Sequence, residues 1–300
     1  MKVIKLAAAA AVALAGTAVT AGAASATPAP PSQRNVCTGT LQSPGVLAGT
    51  FNGTVRIQGV CVVNGGPANI HGNLVLAPGS ALNATFALND VAGAGTSSLN
   101  VQGNVLVRRG AVLGMGCEPK ASPCSDDANA ATGGYLTGQD HVQGNLEATN
   151  ALAVITHASS IGGSVTQIGG GGGLSCAVPT TGIFSLLKSP VFSDYEDNTI
   201  GGSLVVNGVT SCYFGDLRNQ VAHDLSFSLN RMGDPDANEV LSNPVGGDIA
   251  CIGDVPAVHY GDSQGLPNLV VGKAFGQCSF SVFKPRPAPS GPLFPIAVHI

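Results

Sequence analysis

One five-residue pattern recurs along this chain and limits what it can fold into: apolar, any residue, Gly, small polar, apolar. It reads Ile70-His71-Gly72-Asn73-Leu74, Val101-Gln102-Gly103-Asn104-Val105 and Val142-Gln143-Gly144-Asn145-Leu146. Looser copies stand at 161–165, 200–204, 221–225 (Val-Ala-His-Asp-Leu) and 245–249. Their first residues are separated by 31, 41, 19, 39, 21 and 24 positions. Two steps lie near 20 and two near twice that, which fits a coil of about 20 residues carrying insertions.

The residues after each copy agree with strands. Leu225-Ser226-Phe227-Ser228-Leu229 alternates, whereas Val105-Leu106-Val107 and Leu204-Val205-Val206 run on. Period-two alternation sends one set of side chains inward and the other outward. The 42 glycines also disfavour helix, where Gly is costly. At the corner itself, Gly followed by Asn, Ser or Asp reads as residues that tolerate positive φ. Stacked at about 4.8 Å, Asn73, Asn104 and Asn145 are expected to form a ladder of hydrogen bonds. A hairpin sandwich would not repeat one corner motif, and Asn-Gly or Asp-Gly hairpin signals are scarce. The expected fold is all-β: a right-handed parallel β-helix.

Residues 1–26 have the marks of a secretory signal peptide. Lys2 and Lys5 precede an Ala-rich apolar run, and Ala24-Ser25-Ala26 supplies a small-residue cleavage site. Its removal leaves 11 basic residues against 17 acidic ones, a net charge of −6, which argues against a nucleic-acid partner. No later run is long and apolar enough for a transmembrane anchor. Residues 27–52 are expected to be a leader and cap, 53–278 the β-helix, and 279–300 a Pro-rich tail. All eight cysteines follow the signal, so an exported chain would hold four disulfides. Neighbours in order are the expected pairs: Cys37–Cys61, Cys117–Cys124, Cys176–Cys212 and Cys251–Cys278.

Two stretches break the period, 114–140 and 169–198, the second opening on Gly169 to Gly173 and ending in Asp194-Tyr195-Glu196-Asp197. Loops on a solenoid are where function tends to sit. Toward the end, Asn243-Pro244-Val245-Gly246-Gly247-Asp248-Ile249-Ala250-Cys251-Ile252-Gly253-Asp254 leads to Pro267-Asn268-Leu269-Val270-Val271-Gly272-Lys273-Ala274 and Gly276-Gln277-Cys278. This segment resembles the closing part of secreted, uncharacterised actinobacterial proteins. The resemblance implies an exported β-helix ending in a disulfide-closed coil, and it implies no activity.

Several motifs bear on chemistry. Gly261-Asp262-Ser263-Gln264-Gly265 matches the G-x-S-x-G string, but no acid follows it, the only later His is His299, and no α/β pattern surrounds it. Asp234-Pro235-Asp236-Ala237-Asn238 starts like a calcium loop, yet Glu239 and Val245 replace its Gly and Glu. A looser calcium site at Asp234, Asp236 and Asn238, or at Asp194, Glu196 and Asp197, stays open beside the reading of solvated loop acids. His223 and Asp224 occupy the corner motif and read as structural, since adjacent strand residues face opposite ways. The glycine run lacks the Lys and Ser/Thr of a phosphate loop. Asn52-Gly53-Thr54 and Asn83-Ala84-Thr85 match glycosylation strings.

Acids sit in the irregular stretches, basic residues are thin, and there is no Trp. The favoured reading is therefore a secreted structural or surface-interaction protein, without an evident catalytic site or cofactor. Its partner would be an extracellular glycan or an envelope component. A polysaccharide-active lyase or hydrolase and a calcium-dependent adhesin are the alternatives.

Overall fold

The computed structural model describes residues 35–260 and 265–280, with the backbone of 282–283. The expected signal peptide, most of the tail and Gly261-Asp262-Ser263-Gln264 lie outside the described residues. Three long sheets of ten, eight and ten strands run the length of the molecule, and every strand pair in them is parallel. Successive strands visit the first, second and third sheets in turn and then return to the first, one coil further on. This is a parallel β-helix. Among the described residues no helix is long and apolar enough to cross a membrane.

Each copy of the motif marks one coil. Val105 in the first sheet pairs with Leu74 on one side and Leu146 on the other, and Val165 pairs with Leu204. The long steps are thus single coils carrying excursions at 85–98, 116–140 and 169–191. The first of these has no mark in the motif beyond a lengthened step. Coiling also begins before residue 53, because Val36–Cys37 and Gly49–Phe51 pair with Val55–Ile57 and Ala68–Ile70. At the far end of the third excursion, Phe192–Glu196 is a regular strand of the second sheet. Its Ser-Asp-Tyr-Glu run alternates across the sheet, so these acids are strand residues and not loop residues.

The motif joins the third sheet to the first, and although Gly53 in the earliest such corner has a φ of 96°, positive φ is not the reason for the glycine from Gly72 onward. None of Gly72, Gly103, Gly144, Gly163, Gly202 or Gly247 has positive φ. A Cβ on Gly144 would instead lie 2.3 Å from Oδ1 of Asn104 in the coil beneath, and Gly103 and Gly163 are crowded in the same way. The crowding oxygen accepts the next corner's backbone N–H. Asn104 N–H donates to Asn73 (2.8 Å), Asn145 to Asn104 (2.8 Å), Ser164 to Asn145 (2.9 Å) and Ser203 to Ser164 (3.1 Å). Asp224 donates to Ser203 (3.3 Å), Asp248 to Asp224 (2.8 Å) and Lys273 to Asp248 (2.6 Å). The ladder is side chain to backbone. Its longest rung lies beside His223, the one non-glycine.

Positive φ occurs at the other two corners, as stacks. Asn150, Gly169, Gly208, Leu229 and Gly253 share it between the first and second sheets, and Ala158, Asp197, Arg218 and Ser242 between the second and third. The backbone geometry of the coil demands it at positions where glycine is not always present. Immediately after the latter stack runs a buried asparagine ladder. Asn198, Asn219 and Asn243 each donate a backbone N–H to the amide oxygen one coil on, at 3.1, 2.8 and 3.0 Å. Each Nδ2, with that of Asn268, also satisfies a strand carbonyl. Asp140 takes the equivalent place in an earlier coil, accepting Leu99 N–H (2.7 Å) and Gly116 N–H (2.9 Å). Burial pushes its carboxyl up to about 7 against those two bonds.

Inward side chains form one continuous core, in columns such as Ile70, Val101, Val142, Ile161, Ile200, Val221 and Val245. Toward the last coils the columns carry aromatics, with Phe214 against Tyr195 at 5.8 Å and Phe227 at 5.3 Å. The four disulfides are Cys37–Cys61, Cys117–Cys124, Cys176–Cys212 and Cys251–Cys278, the neighbours in order. The first and last close coils at the two ends, and the middle pairs tie down the second and third excursions.

Two outcomes test this account. Gly144→Ala forces a methyl onto Asn104 and breaks a rung, and should cost about 1–3 kcal/mol by chemical denaturation. An unchanged midpoint would contradict the steric origin of the motif. The second concerns Asp254, which accepts Asn230 N–H (2.9 Å) in a third ladder and whose carboxyl burial pushes up to about 6. A raised folded pKa means stability that is present at low pH and lost as pH rises through about 6. Asp254→Asn keeps the rung and removes that loss, so the variant should melt about 2–4 °C higher at pH 8, with a smaller gain at pH 4.5. An equal gain at both pH values would contradict it.

Candidate functional site

Two excursions follow strands of the second sheet and the third precedes one, and those at 116–140 and 169–191 fold over its outer face. The helix Ile183–Leu187 puts Phe184 on Ala81, Val112 and Ala153. Asp126 accepts the N–H groups of Ala87 (3.1 Å) and Leu88 (2.6 Å), and Asp127 those of Tyr135, Leu136 and Asn129, so this acidic pair folds the excursions. The glycine run 169–173 is likewise committed, its N–H groups reaching Asn207, Ala151 and Thr210 carbonyls.

Beneath the excursions lies a cluster of ionisable groups. Strands Ala153–His157, Phe192–Glu196, Tyr213–Leu217 and Glu239–Leu241 are adjacent, with His157 opposite Glu196 and Gly215 between Asp194 and Glu239. Alternation turns His157, Asp194, Glu196, Tyr213 and Glu239 outward. His157 is 2 % exposed, and its Nδ1 faces Glu196 Oε2 at 3.2 Å and Glu118 Oε1 at 3.6 Å, Glu118 coming from the 116–140 excursion. Its Nε2 is 3.6 Å from Asp194 Oδ2. Tyr213 donates its hydroxyl to Glu239 Oε2 at 2.5 Å, and a Cβ on Gly215 would strike both Asp194 and Tyr213. Arg218, at the edge, holds Asp197 through Nε (2.9 Å) and Glu196 Oε1 through Nη2 (2.6 Å).

Electrostatics follow from burial. Burial, then the charges of Glu196, Glu239 and Asp216, pushes Asp194 well above the ordinary carboxyl range. Glu118 rises to about 7, by burial and then by Asp197. Burial pushes His157 down, opposed by Glu196 and Asp197, which favours the neutral imidazole. Burial opposes charge on Arg218 as well, but its pairs with Asp197 and Glu196 hold it protonated. Nδ1 of His157, Oε1 of Glu118 and Oδ1 of Asp194 are buried without a hydrogen-bond partner.

The structure brings two expected metal-ligand candidates together and separates the third. Asp194 and Glu196 join His157 as the one group of three such residues, among those described, that could hold a metal ion. Asp197 turns onto Arg218 at the corner. Asp234, Asp236 and Asn238 do not converge: Asp234 Oδ1 accepts Asp236 N–H, Asp236 is exposed, and buried Asn238 donates to Pro256 O at 2.6 Å. His223 is exposed and Asp224 serves the corner ladder. His157, Glu118, Arg218, Tyr213 and Glu239 were missed by sequence reasoning, although laying coils in register would have set His157 beside Glu196.

A second surface differs in kind. Among the described residues, none of the three excursions is seen to pack on the outer face of the third sheet. A shallow hollow of about 340 Å³ is lined there by Thr50, Asn69, His71, Asn100, Gln102, His141 and Gln143, with no acidic or basic side chain besides the histidines. Asn100 Nδ2 donates to Asn69 Oδ1 at 3.0 Å across one coil step. Further along, a hollow of about 390 Å³ is lined by Thr199, Gln220, Ala222, Pro244, Leu269 and Val271.

No family model, curated protein or solved structure matches the chain. Function must therefore be argued from these two surfaces alone.

Arg218 is the cluster's one guanidinium. Arg218→Met leaves Glu196 and Asp197 without their partner and should cost about 1–3 kcal/mol, discounted for its partial exposure. Thermal unfolding at pH 7 checks this, and an unaltered Tm would show the pairs to be energetically idle.

Proposed function

We propose that the protein is an exported surface-interaction β-helix that binds an extended, uncharged glycan along the outer face of its third sheet. One observation carries the reading: the face left open by the excursions is a column of amides and imidazoles without fixed charge. Asn69, Gln102 and Gln143 each offer both a donor and an acceptor, and Asn100, whose Nδ2 donates to Asn69 and Ser98, offers its Oδ1, which suits sugar hydroxyls. Like amides stand one coil step of about 4.8 Å apart in two pairs, Asn69 with Asn100 and Gln102 with Gln143, so a polymer can meet like groups at neighbouring coils. The apolar stretch around Ala222, Pro244 and Leu269 offers contact for sugar-ring faces. Four disulfides support an oxidising, extracellular setting, in keeping with the leader at 1–26 and the actinobacterial resemblance. The carboxylates lie on another face beneath the excursions, so the reading is binding without cleavage.

Affinity electrophoresis in gels of neutral polysaccharides tests it, with product analysis for cleavage. At least one neutral polymer should retard the chain without being cut. Asn100→Ala with Gln143→Ala should weaken retardation about tenfold, the loss expected for roughly 1.4 kcal/mol of hydrogen bonding. Retardation only by charged polymers, or none, would overturn the reading.

A further inference from the structure

The group under the excursions has the donors and the unmet bonds of an ion site. His157 is almost wholly buried, yet its Nδ1 makes no hydrogen bond and points at carboxylate oxygens of Glu196 and Glu118. Buried Asp194 Oδ1 and Glu118 Oε1 also lack partners. Such atoms are costly to bury unpaired, and two of them, His157 Nδ1 and Glu118 Oε1, face each other at 3.6 Å.

We propose that His157, Asp194 and Glu196, joined by Glu118, bind one divalent transition-metal ion of the zinc type, which clamps the 116–140 excursion to the second sheet.

The geometry fits a compact ion. One ligand atom each from His157, Asp194 and Glu196 lies within 4.8 Å of the others. Ligands about 2.1 Å from a tetrahedral zinc stand about 3.4 Å from one another. His157 Nδ1 is 3.2 Å from Glu196 and 3.6 Å from Glu118, already near that edge length. Asp194 Oδ2 stands 3.6 Å from the other ring nitrogen, Nε2, so ion binding requires the imidazole or Asp194 to rotate. Arg218 holds the second oxygen of Glu196 at 2.6 Å, the kind of outer contact that orients a ligating carboxylate.

Donor chemistry selects the class of ion. An imidazole nitrogen with carboxylates suits zinc and its neighbours, whereas calcium takes six to eight oxygens. With Glu196 and Asp197 shared with Arg218, the cluster cannot supply that many. Glu118, Asp194, Glu196, Asp197 and Glu239 face Arg218 as the one guanidinium, and a dication offsets the excess of acid.

The test uses the full, tag-free chain, stripped with chelator, desalted and titrated by calorimetry with zinc, manganese or calcium chloride. Bound metal is counted by mass spectrometry after gel filtration. One zinc per chain should be retained, with calcium roughly 100-fold weaker. Asp194→Asn should weaken zinc at least about tenfold, and Glu118→Gln, on the excursion and outside the coils, about tenfold. The second variant keeps the test decisive if the first does not fold. No retained zinc, a preference for calcium, or wild-type affinity in a folded Glu118→Gln or Asp194→Asn variant would each overturn the proposal. None of these readings depends on glycan binding.

Discussion

Each coil is hung on the one before it by a backbone N–H that points at a side-chain oxygen of the preceding corner. That bond dictates the motif. The oxygen comes from a short polar residue, and at every rung but that of His223 the residue above it is glycine, because the oxygen occupies the space a Cβ would need. The pair Gly-Asn, Gly-Ser or Gly-Asp is thus a steric and hydrogen-bonding unit shared between two coils. Backbone groups at a turn inside a stacked fold cannot reach water, so the ladder is how they are satisfied.

The other corners solve the same problem differently. A buried asparagine can accept an N–H of the preceding coil and donate to a strand carbonyl of that same coil, and the four from Asn198 to Asn268 do so without a gap. Where an acid takes such a place, as at Asp140 and Asp254, the rung survives but the carboxyl is forced toward its neutral form. The solenoid therefore carries buried acids as part of its scaffolding, and raised carboxyl pKa values do not by themselves mark function here. Both carboxyl oxygens of Asp216 and one of Asp254 also lack partners, and the outer cluster at His157 differs in leaving an imidazole nitrogen unpartnered among carboxylates of another strand and of an excursion.

Division of labour among the faces follows from where the excursions leave. They flank strands of the second sheet, and those at 116–140 and 169–191 bury its outer side, which shields the ionisable cluster, while among the described residues none is seen to pack on the third sheet. The covered face collects charge and the open face collects neutral hydrogen-bonding groups. A buried face can concentrate unlike groups at short range, whereas an open one presents them at the regular coil spacing.

The coil repeat, its corner and the order of the disulfides were legible in the amino-acid sequence, since each is a short-range property: a motif a few residues long, or cysteines that are nearest neighbours along a stacked chain. The reason for the corner glycine was not, because the atom it avoids belongs to a residue some 20 to 40 positions away. Nor was the status of Asp194 and Glu196, whose place on a strand depends on where the preceding excursion ends. Only the tertiary structure set His157 against Glu196, 39 residues on, and brought Glu118 over both. Alternation along one strand is local and can be read. Which strands become neighbours depends on the lengths of the insertions between them, and packing alone decides where those insertions fold back.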